Sequence, residues 1–341
     1  MATIKDVAKL AGVDASTVSL ALNANPRISA ATRLRVEEAA RQLNYQKNYL
    51  ARGLRARQSA TIGVVISGWS SAFWGEIMTG IENTVRSRDY HMMVTFSGGD
   101  VQAEHKHIEA LLGKQVDGLI IAPVPQPPHA RAYQMLQARP VPFVFIDRYV
   151  PEVPADLVCT DNVEAGRRVA EHLWTLGHRQ AVYCHNASER ATSTEERFEG
   201  ILQVFAPERV TRVGLTSEDR AHLWDQFYAG MQAVVPFSSD VTAVIAGNDM
   251  IGVATLRALQ DCGLRIPDDV SVTGFDDLDI ARMTNPPLTT VAQAKEEIGA
   301  TATRLLLDRI ASRGTDAPCQ VRLSASLIVR RSTGAAAQAP L

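Results

Sequence analysis

The stretch Met1–Asn23, MATIKDVAKLAGVDASTVSLALN, decides how the rest of the chain is read. Ile4, Val7, Ala8 and Ala11 recur at i, i+3, i+4 and i+7, a spacing that lays one apolar stripe along a short helix. Gly12 stops that helix, because glycine enters the left-handed C-cap conformation without a Cβ clash. Asp14 stands where it can N-cap a second helix, whose buried face is Val18, Ala21 and Leu22. Two short helices about a glycine turn form a helix-turn-helix pattern, in which the second helix enters the major groove of DNA. Charge points the same way. From Met1 to Ala60 ten basic residues face four acidic ones, a net of +6, whereas the remainder has 25 bases against 33 acids, a net of −8. A cationic head on an acidic body is expected when only the head meets phosphate.

Ser29 is placed to cap a third helix, with Val36, Ala39, Ala40 and Leu43 as its apolar face and Tyr45 at its end, half packed. This completes an all-α head over residues 1–45. Gln46–Ser59, QKNYLARGLRARQS, is a basic linker rich in helix formers. It is too short to be a stable helix alone, since isolated helices below about 12–15 residues are marginal. Such a segment folds when it gains a partner.

The words TIKDVAKLAGV, STVS and ALN resemble the lactose-repressor (LacI/GalR) family of bacterial transcription regulators. The resemblance implies that Ala15, Ser16 and Leu20 read base edges. Thr3, Thr17, Ser19, Asn23, Arg27 and Tyr45 then hold phosphates, with hydroxyl, amide and guanidinium donors fixing the register. Leu20 departs from the pattern, because arginine is frequent there and is the usual partner of guanine. Leu20 and Ala15 are suited instead to a thymine methyl. The resemblance also makes the linker a hinge helix in the minor groove, where Leu54 wedges between base pairs beside Arg52 and Arg55. Lys47 stands where the family commonly has proline.

At 341 residues, 46% hydrophobic and 21% charged, the chain is long enough for two or three domains with sizeable cores. No run of about 18 apolar residues offers a membrane span. The N-terminus has no apolar signal core, so a cytoplasmic protein is expected, associated with the nucleoid when bound to DNA. Cys159, Cys184, Cys262 and Cys319 make no CxxC pair, which argues against a zinc site or a disulfide framework.

From Thr61 onward, strand-length apolar runs alternate with amphipathic helices. The runs are Ile62–Ile66, Met92–Phe96, Leu119–Ala122, Phe143–Ile146, Ala181–Tyr183, Val210–Leu215, Val241–Ala246 and Val270–Phe275. Between them lie Gly75–Arg88, Gln102–Leu112, Val163–Leu176, Thr194–Phe205, Ala221–Val235 and Met250–Asp261. That alternation means parallel sheets covered on both faces. The Pro-rich Val141–Pro154 region suggests a split into two lobes, with a site in the cleft beyond the carboxyl ends of the strands.

The body words VDGLIIAP, FIDR, TDNVEAGRRVAEHLWTLGHR, GNDMIGVATLRALQDCGLRIPDDVSVTGFDD and LIVRRSTG extend the resemblance over nearly the whole chain. It implies a body of the periplasmic sugar-binding type over residues 60–341. Lobe 1 is about 60–160 and 293–320, and lobe 2 about 161–292 and 321–331. Lys295–Arg313 and a final strand near Val321–Val329 cross back between them. The resemblance assigns effector contacts to Asp147, Arg197, Asn248 and Asp276, with Asp249 expected to cap the following helix. Ser67–Trp74 departs from the family pattern, yet Trp69 and Phe73 are placed to stack on a ligand face. A polyol needs such a set: forked donors, carboxylate acceptors and an aromatic wall.

Other patterns carry less. His105 and His107 lie two apart on a helix and do not converge on a metal. Gly98-Gly99 is a turn without a phosphate-binding motif, and the Asp276-Asp277-Asp279 loop lacks a partner carboxylate across a scissile bond. No nucleophile–base set, metal site or cofactor site is evident. The expectation is a homodimeric, non-enzymatic repressor of carbohydrate catabolism. It binds palindromic double-stranded DNA, and a small-molecule effector, a sugar, controls it. The short Ala-rich tail has no leucine heptads for a higher assembly. The alternatives are the same architecture with a nucleoside or other metabolite, or a sugar-binding protein with no DNA role.

Overall fold

A computed structural model describes residues 2–23, 25–45, 59–68, 72–125, 133, 136, 141–187, 191–215, 223–234, 240–312 and 317–337. Leu54, Arg52, Arg55 and Trp69, named above, lie outside the described residues. The chain divides into two compact units, Met1–Ser59 and Ala60–Leu341.

In the first unit, α1 spans Ile4–Ala11, α2 Ala15–Leu22 and α3 Ala30–Gln42. Thr3 and Asp6 form a reciprocal cap at the start of α1. The Asp6 amide donates to the Thr3 hydroxyl at 3.4 Å, and the Thr3 amide donates to the Asp6 carboxylate at 2.8 Å. Gly12 ends α1 at φ 65°. Asp14 occupies the N-cap position of α2 but makes no capping hydrogen bond with its side chain, whereas Ser29 accepts from Thr32 N at 3.2 Å. Val7, Ala8, Ala11, Val18, Ala21, Val36 and Ala39 form the core, with Leu22, Ala40, Leu43 and Tyr45 half-buried around it. A core this small leans on its caps, each worth about 1 kcal/mol.

The second unit has two parallel sheets. The first runs in the order β11-β5-β4-β3-β1-β2, from β1 (Thr61–Ile66), β2 (His91–Phe96), β3 (Gly118–Ile121), β4 (Phe143–Ile146), β5 (Asp156–Thr160) and β11 (Gln320–Leu323). Helices α4 (Ala72–Ser87), α5 (Val101–Gly113) and α11 (Lys295–Ser312) accompany it. The second sheet is β7-β6-β8-β9, from β6 (Ala181–Asn186), β7 (Val210–Leu215), β8 (Ala243–Ala246) and β9 (Ser271–Thr273). Its helices are α6 (Asn162–Thr175), α7 (Thr192–Leu202), α8 (Leu223–Val234), α9 (Asp249–Asp261) and the short α10 (Asp279–Met283). A small antiparallel pair, β10 (Thr290–Ala292) with β12 (Ser326–Ile328), lies beside the second sheet.

The chain passes between lobes three times: after Thr160, between Ala292 and Lys295, and between Leu323 and Ser326. This corrects two expectations. The Pro-rich Val141–Pro154 stretch does not divide the lobes, because β4 inside it pairs with β3 and β5 of the first sheet. Residues 321–323 belong to the first lobe, where β11 runs parallel to β5, so the expected strand near Val321–Val329 is two strands in different sheets. β5 went unread because a five-residue run holding Asp156 and Thr160 resembles a loop, although every residue in it is buried.

Close helix contacts fix each lobe. A Cβ on Gly80 of α4 would lie 1.9 Å from the Glu296 carbonyl oxygen, and one on Gly299 of α11 would lie 2.0 Å from that of Ile77. Gly166 of α6 and Gly200 of α7 make the equivalent pair in the second lobe. In each pair backbone touches backbone, which only glycine permits.

Candidate functional site

On the head, Ser16 is exposed and Leu20 is 39% exposed on α2, while Ala15 is half-buried against the core. Thr17 and Ser19 are half-buried, and Asn23 and Arg27 are exposed. Thr3 spends its hydroxyl on the α1 cap, and its amide and hydroxyl hold the Asp6 carboxyl below the usual carboxylate range. Tyr45 packs against the helical core while keeping part of its surface.

In the body, a cavity of about 300 Å³ lies between the ends of the two sheets. Asp147, Arg197, Asn248, Asp276 and Phe73 all line it. Asp147 follows β4 at φ 65°, and Asp276 follows β9 at φ 117°. Both are unusual for residues bearing a Cβ, and such strain costs about 1–3 kcal/mol per residue, so the surrounding fold imposes it. Asp147 accepts from Arg148 Nε at 2.9 Å. Asp276 Oδ1 accepts from Gln293 Nε2 at 2.6 Å, while Lys295 Nζ donates to its carbonyl at 2.6 Å. Burial raises the Asp276 carboxyl, with the Arg197 charge opposing.

Arg197 is 7% exposed and fully oriented. Its Nε donates to Asn162 Oδ1 at 2.9 Å, its Nη1 to the Gly247 carbonyl at 2.7 Å, and its guanidinium lies 3.6 Å from the Phe275 ring centroid. Asn248, not Asp249, caps α9: its Oδ1 accepts from Ile251 N at 2.9 Å. Asp249 is instead wholly buried, accepting from Leu278 N at 2.7 Å and from the Thr290 hydroxyl at 2.5 Å, and so pins the loop that carries Asp276. Burial and the nearby Asp276 charge both raise its carboxyl.

Sequence reasoning missed Trp74, Arg148, His185, Trp224 and Phe227 on the cavity wall, and Asn162 and Gln293 behind it. Trp224 stacks on Tyr228 at 5.2 Å, and Trp74 meets Phe73 edge-on at 5.1 Å. His185 accepts from Arg212 Nε at 2.9 Å through Nε2, which makes it a neutral imidazole, and burial lowers its pKa further. The available signal was the aromatic content of helix starts following strands, which does not separate wall from core. Among the described residues, no group of three or more His, Cys, Asp or Glu side chains is arranged to hold a metal, and no helix is long and apolar enough to cross a membrane.

A three-helix head with a helix-turn-helix, joined to a two-lobed body of parallel sheets, defines a DNA-binding regulator with a periplasmic-binding-protein-like body. Residues 3–48 match the bacterial regulatory proteins of the lacI family, and residues 170–333 match the periplasmic binding protein-like domain. The chain is 32% identical over 316 residues to the ribose operon repressor of Escherichia coli (strain K12), covering 91% of this chain and 93% of that one. It superimposes on the Lac repressor dimer bound to operator and the anti-inducer ONPF with TM-score 0.84 and 27% identity, over 98% and 99% of the two chains. It also resembles a ribose-bound LacI family regulator from Enterococcus faecium, with TM-score 0.69 and 26% identity over 81% and 99%. The chain belongs to the LacI family of DNA-binding transcriptional repressors, whose members are regulators and not enzymes.

Proposed function

We propose that this repressor controls carbohydrate catabolism through a neutral, hydroxyl-rich sugar bound in the interlobe cavity. The carrying observation is that Asp147, Asp276 and Arg197 line one cavity together with the aromatic rings of Phe73, Trp74, Trp224 and Phe227. Each carboxylate is charge-balanced by a guanidinium near it, Asp147 by Arg148 and Asp276 by Arg197. A neutral ligand therefore enters without leaving a buried charge unpaired. Carboxylates accept hydroxyl protons, the guanidinium donates to ring or hydroxyl oxygen, and aromatic faces cover the apolar side of a sugar ring. A cavity of about 300 Å³ suits a small ligand. The ribose named for one relative and one structural neighbour supports the same class.

For the head we propose that two copies sit on a palindrome. Ala15, Ser16 and Leu20 read bases, and Thr3, Thr17, Ser19, Asn23, Arg27 and Tyr45 fix phosphates. The exposure of Ser16, Leu20, Asn23 and Arg27 supports this reading. Closure of the lobes biases the two heads, so sugar and operator change each other's affinity by the same factor.

Titration calorimetry of the full chain against pentoses, hexoses and nucleosides tests the proposal. A sugar is expected to bind, and Asp276→Asn or Arg197→Met to weaken it by about 2 kcal/mol or more, since each leaves a buried partner unpaired. Binding of nucleosides alone, or sugar affinity unchanged in both variants, would overturn it.

A further inference from the structure

The lobes are also joined by a polar bridge that leaves α7 one residue before Arg197. Glu196 takes both Nη groups of Arg322, at 3.0 and 2.9 Å. Arg322 stands on β11 of the first lobe, and Glu196 on α7 of the second. Tyr149, also of the first lobe, donates its hydroxyl to Glu196 Oε1 at 3.1 Å and its amide to the Thr192 hydroxyl at 3.1 Å. Consecutive residues on a helix point about 100° apart. Glu196 thereby turns toward the first lobe while Arg197 turns toward the cavity. Asn162, at the first interlobe crossing, touches both. Its Oδ1 accepts from Arg197 Nε at 2.9 Å, and its Nδ2 lies 3.5 Å from Glu196 Oε2.

We propose that Glu196, Arg322 and Tyr149 form an interlobe latch that holds the cleft closed, and that Asn162 couples the latch to the orientation of Arg197. Bidentate guanidinium–carboxylate geometry is short-ranged and directional, so movement of one lobe against the other would disrupt it. Side-chain exposures of 31% for Arg322 and 11% for Glu196 let water solvate both when they part. The latch therefore biases the lobes without locking them. A ligand that re-aims Arg197 shifts Asn162, and with it the carboxylate that Arg322 grips. This regulatory meaning rests on the cavity being the effector site proposed above, whereas the latch itself does not.

The test uses the chain's own thiols. Cys319 lies just before β11 of the first lobe and Cys262 at the end of α9 in the second; both are exposed, while Cys159 and Cys184 are buried. Spin labels on Cys262 and Cys319 of the full chain report interlobe separation by double electron–electron resonance, without ligand. Samples are diluted with unlabelled chain so that pairs within one chain dominate. Glu196→Gln and Arg322→Met are each expected to raise the separated-lobe population about fivefold, the double variant no further, and the exchanged pair E196R/R322E to move it back toward the parent. Distributions identical to the parent in both single variants, or fully multiplicative effects in the double, would overturn the latch. If either variant fails to fold, Arg322→Lys keeps the charge but loses the fork; an intermediate shift supports the latch and no shift refutes it. A latch that passes this test while no sugar binds in calorimetry refutes the cavity reading and leaves the latch standing.

Discussion

Replacing Gly200 with alanine tests whether backbone contact between α6 and α7 carries the second-lobe half of the site. A Cβ there would sit 1.9 Å from the Val163 carbonyl oxygen, and one at Gly166 would sit 2.1 Å from the Arg197 carbonyl oxygen. Ordinary contact begins near 3.4 Å, so the helices must part by about 1.5 Å, the difference between 3.4 and 1.9 Å. Neither obstacle is a side chain that can rotate away. Helix propensity alone favours alanine over glycine by about 1 kcal/mol. Overpacking costs about 1–3 kcal/mol, and a backbone obstacle belongs in the upper part of that range. The net loss is then about 1–2 kcal/mol, or a melting temperature lower by about 2–8 °C for a domain of this size. Scanning calorimetry measures it, with Gly113→Ala as control, since a Cβ at Gly113 meets nothing within 4 Å and should leave the melting point equal or higher. A Gly200→Ala protein that melts at or above the parent would show that helix packing here is not limited by the backbone.

Further outcomes follow from single residues. Glu104 is wholly buried, accepting from Val124 N at 2.7 Å and from the Tyr133 hydroxyl at 2.6 Å, and burial pushes its carboxyl up to about 7. Between the ordinary glutamate value of 4.5 and about 7 the folded chain keeps a proton that the unfolded chain has released, so stability declines as pH rises across that window. Glu104→Gln should remove that slope, and parallel melting curves for parent and variant from pH 5 to 8 would exclude the assignment. Leu20 donates no hydrogen bond, so a base-substitution scan of the operator should find no guanine requirement that depends on it. Leu20→Arg should create one, worth about 1–3 kcal/mol by fluorescence anisotropy. Steep salt dependence of operator binding is expected throughout, because phosphate contacts release counterions.

Much of the local structure was legible because short-range chemistry encodes it. Gly12 and Ser29 end and begin their helices where the residue types say they should. Phe143–Ile146 and Val210–Leu215 are strands over the same bounds as their apolar runs. The assignment of the cap after β8 to Asp249 failed, because Asn and Asp are equally good caps and only burial distinguishes them. Asp249 is drawn inside by the Leu278 amide and the Thr290 hydroxyl, contributed from positions far along the chain.

The sequence by itself determined a cationic helix-turn-helix head and an acidic body of alternating strands and helices, because periodicity, capping chemistry and charge are local properties; five of the side chains that line the cavity were named through the family resemblance. Only the tertiary structure decided where the last crossing between lobes falls, since strand pairing joins Gln320–Leu323 to Asp156–Thr160 across about 160 residues of sequence. It also decided which aromatics form wall and which form core, and that Glu196 reaches Arg322 while its neighbour Arg197 turns to the cavity. Those choices depend on which surfaces meet after folding, and the one-dimensional pattern carries no term for that.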